Sequence, residues 1–122
     1  MGPQKHEQVN ELLEALSTKC REQEERQFPD VDLPQEYDDL YAEWVEMDGF
    51  VAGLAMRALA GERLLLSQVT PIGYDKLRPR LDRLRREFPE LAPSILETFR
   101  LVDGILALLK SIIELQETEF AE

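Results

Sequence analysis

A chain of 122 residues, 43% hydrophobic and 32% charged, suits a single folded domain and argues against disorder along most of its length. Its formal charge of −11 is uneven: residues 1–62 carry 5 basic and 15 acidic groups, residues 63–90 carry 7 and 4, and residues 91–122 carry 2 and 6. Such a field repels nucleic acid and anionic membrane and favours basic partners or cations, although solubility alone is a sufficient reason for it.

No stretch reaches the ~18 uninterrupted apolar residues of a membrane span. The most apolar run, Leu101 to Leu115, is broken by Asp103, Lys110 and Glu114. The first residues are polar and lack an apolar core, so no secretory leader is expected from them. Cys20 is the single cysteine, so no intrachain disulfide can form and a reducing cytoplasm is the expected compartment.

Periodicity and punctuation predict four helices within one all-α domain, residues 1–122. The first runs from about Lys5 to Gln27, with Val9, Leu12, Leu13, Leu16 and Cys20 in one stripe. Phe28 to Pro34 is a connector, because Pro29 and Pro34 each push the preceding residue out of helical geometry. The second helix runs from about Pro34 to Ala60, with Pro34 at its first position, acids in its first turn and Gly61 as its C-terminal cap. Residues 62–73 read as a buried loop or a short strand around Leu64, Leu65, Leu66, Val69 and Ile72. The third helix spans about Asp75 to Phe88, with Pro79 in or near its first turn. The short Pro89–Ala92 link makes an antiparallel hairpin with the fourth helix, Pro93 to about Thr118. The expected architecture is a four-helix antiparallel bundle with helices two and four central.

That centrality rests on apolar arcs wider than one covering helix can hide. On helix two, at ~100° per residue, Tyr37, Leu40, Tyr41, Trp44, Val45, Met47, Val51, Leu54, Ala55 and Leu59 cover about 200°. Ala42, Gly49, Gly53 and Ala60 form a small-residue seam beside them. Two interior glycines cost about 1 kcal/mol each against alanine, a cost that close approach of another backbone would offset. Helix four is apolar over about half its circumference. The excess implies a second copy of the chain, a homodimer, unless the 62–73 loop closes over it. Trp44-x-x-Met47-Asp48-Gly49 also aligns with Phe99-x-x-Val102-Asp103-Gly104, either by chance or as a pair packed through the two glycines.

Asp48 is the most informative polar residue, because it falls inside helix two's apolar arc between Trp44 and Val51. A carboxylate there must find a hydrogen-bond partner, bind a cation or take up a proton. A structural Asp satisfied by Tyr, Arg or backbone groups outweighs a catalytic one. Asp103 shares its arc with charged residues and is expected to be solvated near Arg100. A second acid set, Glu22-x-x-Glu25 and Glu36-x-x-Asp39, places two acids on one face of each helix. Such pairs could hold Mg²⁺, an idea similar in outline to all-helical nucleotide pyrophosphohydrolases, but no neighbouring Lys or Arg clearly awaits a phosphate. Asp30, Asp32, Glu36, Asp38 and Asp39 offer oxygen donors for weak Ca²⁺ binding without matching an EF-hand.

Helix three is the basic exception, with Lys76, Arg78, Arg80, Arg83, Arg85 and Arg86. Pairing with acidic helices one and two, or with another subunit, fits the net charge better than nucleic-acid binding does. His6 is the single histidine and lies near the terminus, which removes a His-based triad from the core and any Cys/His zinc site. No Gly-rich phosphate loop or dinucleotide fingerprint is present. The expected function is therefore non-catalytic and without cofactor: an acidic helical protein that dimerises and binds a protein partner, basic in character, through Asp39, Glu43 and Glu46. Its rival is a Mg- or Ca-dependent hydrolase or binding protein built on Glu22, Glu25, Glu36 and Asp39.

Overall fold

Four α-helices account for most of the computed structural model: α1 (Pro3–Glu25), α2 (Asp38–Leu59), α3 (Ile72–Glu87) and α4 (Ala92–Ala121). The structure describes the backbone of residues 3–29, 32–70 and 72–121, and the side chains of residues 6–29, 32–70 and 73–117. Among these residues there is no strand, and residues 66–69 of the interhelical loop form a 3-10 turn instead. No described helix is long and apolar enough to cross a membrane.

The helix ends follow local chemistry. Pro34 stands outside α2 with an extended ψ of 147° instead of opening the helix. That conformation lets its carbonyl accept the Tyr37 N–H at 2.9 Å, closing a 3-10 turn (Gln35–Tyr37) before the α-helix begins. Asp38 and Asp39 then occupy the first turn, at the positive end of the helix dipole. At the other end Gly61 takes φ +92°, a left-handed conformation that only glycine adopts without strain. The Gly61 N–H donates to the Ala58 carbonyl and the Glu62 N–H to the Arg57 carbonyl, the two bonds of a Schellman stop. The Arg57–Glu62 ion pair closes over them. α3 starts three residues earlier than expected, so Pro79 lies in its second turn, on the exposed side.

α2 and α4 each pack against the other three helices. The core divides into two clusters. One gathers Leu16, Val51, Leu54, Ile105, Leu109 and Ile112 under Leu64 and Val69 of the loop. The other gathers Trp44, Leu77, Leu81, Leu84, Leu91 and Ile95. Met47 packs on both. Trp44 is fully buried; its Nε1–H donates to Thr98 Oγ1 at 2.8 Å, and the rings of Phe28 and Tyr41 meet it edge-on at 5.2 and 5.8 Å. The indole thus delivers its large apolar area without leaving a donor unmet.

Among the described residues, the expected apolar arc of α4 is covered within one chain, and Leu96, outside that arc, is the large apolar side chain left exposed on this helix. On α2, Val45 alone of the expected arc is exposed, at 39%, the rest being covered within one chain; Phe50 and Met56, exposed at 51% and 53%, lie outside that arc. The small-residue seam is exposed as well, and a Cβ built at Gly49 or Gly53 would meet nothing within 4 Å. A Cβ at Gly104 would instead meet Lys19 Cε at 2.8 Å, so Gly49 and Gly104 do not pack on each other and the shared pattern is not a packed pair. Asp103 is exposed as expected, but Arg100 is not its partner. It accepts from the Tyr74 hydroxyl at 2.6 Å and from Arg78 at 3.0 Å, because α3 lies alongside it, whereas Arg100 turns to Glu22 and Glu97.

Candidate functional site

Where α2 and α3 run side by side, their mismatched side chains leave an open groove of about 460 Å³. α2 supplies Glu43, Glu46, Met47 and Phe50, and α3 supplies Gly73, Lys76, Leu77 and Arg80. These positions recur every three or four residues, so each helix presents a continuous bank. Met47, Phe50 and Leu77 make the apolar surface. Gly73 keeps the wall thin where Met47 approaches, since a Cβ there would stand 3.4 Å from Met47 Cε.

The two banks carry opposite charge. Glu43 and Glu46 line the α2 side, Lys76 and Arg80 the α3 side, and Glu43 and Arg80 join across one end. Both members of that pair are half exposed, so it orients the banks more than it stabilises them. Beyond it a second compartment of about 250 Å³ continues between Glu36, Tyr37, Leu40, Arg83, Leu84 and Glu87. It is closed by a hydrogen bond from the Tyr37 hydroxyl to Glu87 and by the Tyr37 ring set edge-on against Phe88 at 5.3 Å.

Of the three acids expected to meet a partner, Glu43 and Glu46 lie in the groove and Asp39 lines neither compartment. The basic helix α3 is spread over several neighbours. Arg80 reaches Glu43 on α2, Arg78 reaches Asp103 on α4, and Arg85 and Arg86 both reach Asp82 on α3 itself. Lys76 and Arg80 belong to the basic helix expected to pair with the acidic helices, as Arg80 does with Glu43, whereas Phe50 and Leu77 are groove residues that sequence reasoning did not single out for a site. The signal for Phe50 was its place outside the apolar arc of its helix.

Asp48 lies at a separate place, between α1 and α2. Its Oδ1 accepts from Arg26 at 3.1 Å, with side-chain exposures of 8% for Arg26 and 10% for Asp48. Arg26 stacks over the Phe28 ring at 4.4 Å, and Gln23 Nε2 donates to the Asp48 backbone carbonyl at 3.0 Å. Among the described residues, Gln23 Oε1 and Arg26 Nε and Nη2 are buried without a hydrogen-bond partner. A small recess of about 100 Å³ beside them is lined by Cys20, Gln23, Glu24, Asp48, Ala52 and Met56. Burial, with the Glu24 charge second, pushes the Cys20 thiol above its ordinary value, which disfavours the reactive thiolate. His6 sits 14 positions earlier on the same helix, roughly 21 Å away, too far to serve that thiol as a base.

The acid array does not assemble. Glu22 turns to Arg100 at 3.0 Å, Glu25, Glu36 and Asp39 are exposed, and Asp30 lies outside the described residues. Among the described residues no three His, Cys, Asp or Glu side chains converge on a point that could hold a metal ion. Pairs on one helical face were legible, but among the described residues the two pairs do not converge. No protein-family model matches the chain, and no curated protein or solved structure shows significant similarity to it.

Proposed function

We propose that this is a non-catalytic helical protein that self-associates and holds a segment of a protein partner in the α2–α3 groove. The observation that carries the reading is an apolar trough with Phe50 half exposed at its edge and fixed charges of opposite sign along its banks. Exposed aromatic surface rimmed by charge is the anatomy of recognition surfaces, with the aromatic group as anchor and the rim as register. The net charge of −11 gives a basic partner the faster approach and disfavours nucleic acid. The bundle is read as antiparallel with α2 and α4 central, working in the reducing cytoplasm where the buried thiol of Cys20 stays free.

Affinity purification from the source cells, followed by quantitative mass spectrometry of bound proteins, tests the reading. Gly73→Leu and Lys76→Glu, both on the α3 bank, should each reduce recovery of the same partner at least tenfold, while Asp39→Lys, outside the groove, should leave it within twofold. Equal recovery by all three folded variants would refute the groove as the binding site.

A further inference from the structure

Three of the six large hydrophobics left in solvent among the described residues stand on one helix, α2. At ~100° per residue, Val45 and Met56 fall on one edge of its exposed arc and Phe50 falls with Glu46 and Arg57 on the other. Ala42, Gly49, Gly53 and Ala60 lie between these edges, all exposed. Glycine is a poorer residue than alanine in a helix interior, and a Cβ at Gly49 or Gly53 would meet nothing within 4 Å. Nothing within the single chain therefore calls for glycine at either position.

Charge runs along the same face with a polarity. Asp38, Asp39, Glu43 and Glu46 occupy the N-terminal half of α2, whereas Arg57 in its last turn and Arg63 just beyond the helix outnumber the one acid there, Glu62, which pairs with Arg57. Two parallel copies would set acid against acid. Two antiparallel copies set each acidic half against the arginine end of the other.

We propose that a second copy of the chain docks antiparallel along this face, α2 against α2, with a two-fold axis passing beside residue 51. This rests on the reading of the protein as self-associating and specifies the surface and its orientation. The spacing of the residues is self-complementary about that point. Ala42 meets Ala60 of the second copy, Gly49 meets Gly53, and Val45 meets Met56. An in-plane two-fold axis keeps each edge on its own side, so Glu46 lies beside Arg57 of the second copy and Phe50 beside Phe50. Every apolar residue left exposed on α2 thereby gains an apolar neighbour, and the small residues let the two backbones come close. The face from Ala42 to Ala60 is roughly 27 Å long, a small interface that places the dimer among weak, concentration-dependent assemblies.

Sedimentation equilibrium of the full chain from about 1 μM to about 1 mM tests the proposal, with far-UV circular dichroism confirming that each variant folds. Gly53→Glu has open space for its side chain in the single chain, so it should remain folded while dimerisation weakens at least 100-fold. Arg57→Glu should weaken it at least tenfold, and the swap Glu46→Arg/Arg57→Glu should restore it to within threefold, because the two charges face each other across the axis. A wild-type chain that stays monomeric to ~1 mM overturns self-association altogether. A wild-type dimer untouched by Gly53→Glu leaves self-association standing and overturns this face. A dimer lost in Gly53→Glu but not recovered by the charge swap overturns the antiparallel register.

Discussion

Replacing Asp48 by alanine leaves the Arg26 guanidinium buried without its anion. The pair is a single 3.1 Å hydrogen bond between side chains that expose 8% and 10% of their surface. Arg26 Nε and Nη2 already lack hydrogen-bond partners among the described residues, and the Glu97 carboxylate, which feels the Arg26 charge, is held by Arg100. The Phe28 ring, 4.4 Å away, can return only about 0.5–2 kcal/mol. Stranding a buried charge costs about 3–5 kcal/mol, a fifth or more of the roughly 5–15 kcal/mol that holds a domain folded. Replacing both residues, as Arg26→Met/Asp48→Leu, removes the charge together with its counter-charge, and the double variant should fall within about 1 kcal/mol of the parent. Urea unfolding followed by far-UV circular dichroism, at unchanged denaturant slope, measures both. A loss below about 1 kcal/mol in Asp48→Ala, or a double variant that loses as much as the two single changes together, would refute the account of a desolvated pair.

Three further outcomes follow from the core and its margins. Thr98→Val keeps the volume but strips the acceptor from the buried Trp44 Nε1–H at 2.8 Å, and should lower stability by about 1–3 kcal/mol in thermal unfolding; an unchanged melting temperature would contradict it. Burial first, and the bond to Asp103 second, raise the Tyr74 hydroxyl above the ordinary tyrosine value. The stability it contributes is full below about pH 10 and declines above it, because the unfolded chain loses that proton first. Tyr74→Phe should therefore show a shallower fall of the urea midpoint between about pH 10 and pH 12, and identical slopes would count against the assignment. Cys20, buried and shifted upward, should react with iodoacetamide at least tenfold more slowly in the native protein than in urea, and equal rates would mean the α1 face opens freely.

The four helices are legible because their signals are local. Prolines at 29, 34 and 89 interrupt the chain where helices must pause, and Gly61 marks a stop that its left-handed φ explains. The start of α3 was obscured by Pro79, which reads as a first-turn residue but sits on an exposed face where its missing N–H and its ring are tolerated. The burial of Asp48 could be read from its neighbours Trp44 and Val51, because helical spacing alone puts them together. Its partner could not: Arg26 lies just past the end of α1, where no periodicity fixes a direction. The groove was half visible for the same reason. Glu43 and Glu46 share a face of one helix, whereas Lys76 and Arg80 oppose them only through the way α3 settles on α2. The seam of small residues was plain in the sequence, but its surroundings depend on which helix lies where, and within one chain none lies against it.

The division of the core into two clusters bridged by Met47 has a spectroscopic consequence. The sole tryptophan belongs to only one of them, so intrinsic fluorescence reports the half built on Leu81, Leu84 and Ile95 and is blind to loosening around Leu16, Leu109 and Ile112. Helices α2 and α4 run through both halves, and the sharpness of melting depends on how strongly those shared rods couple the two ends. Emission and ellipticity curves that superimpose would mean one cooperative unit. Ellipticity lost ahead of the emission change would locate the softer end of the molecule on the side the indole does not see, and the reverse order would locate it around the indole.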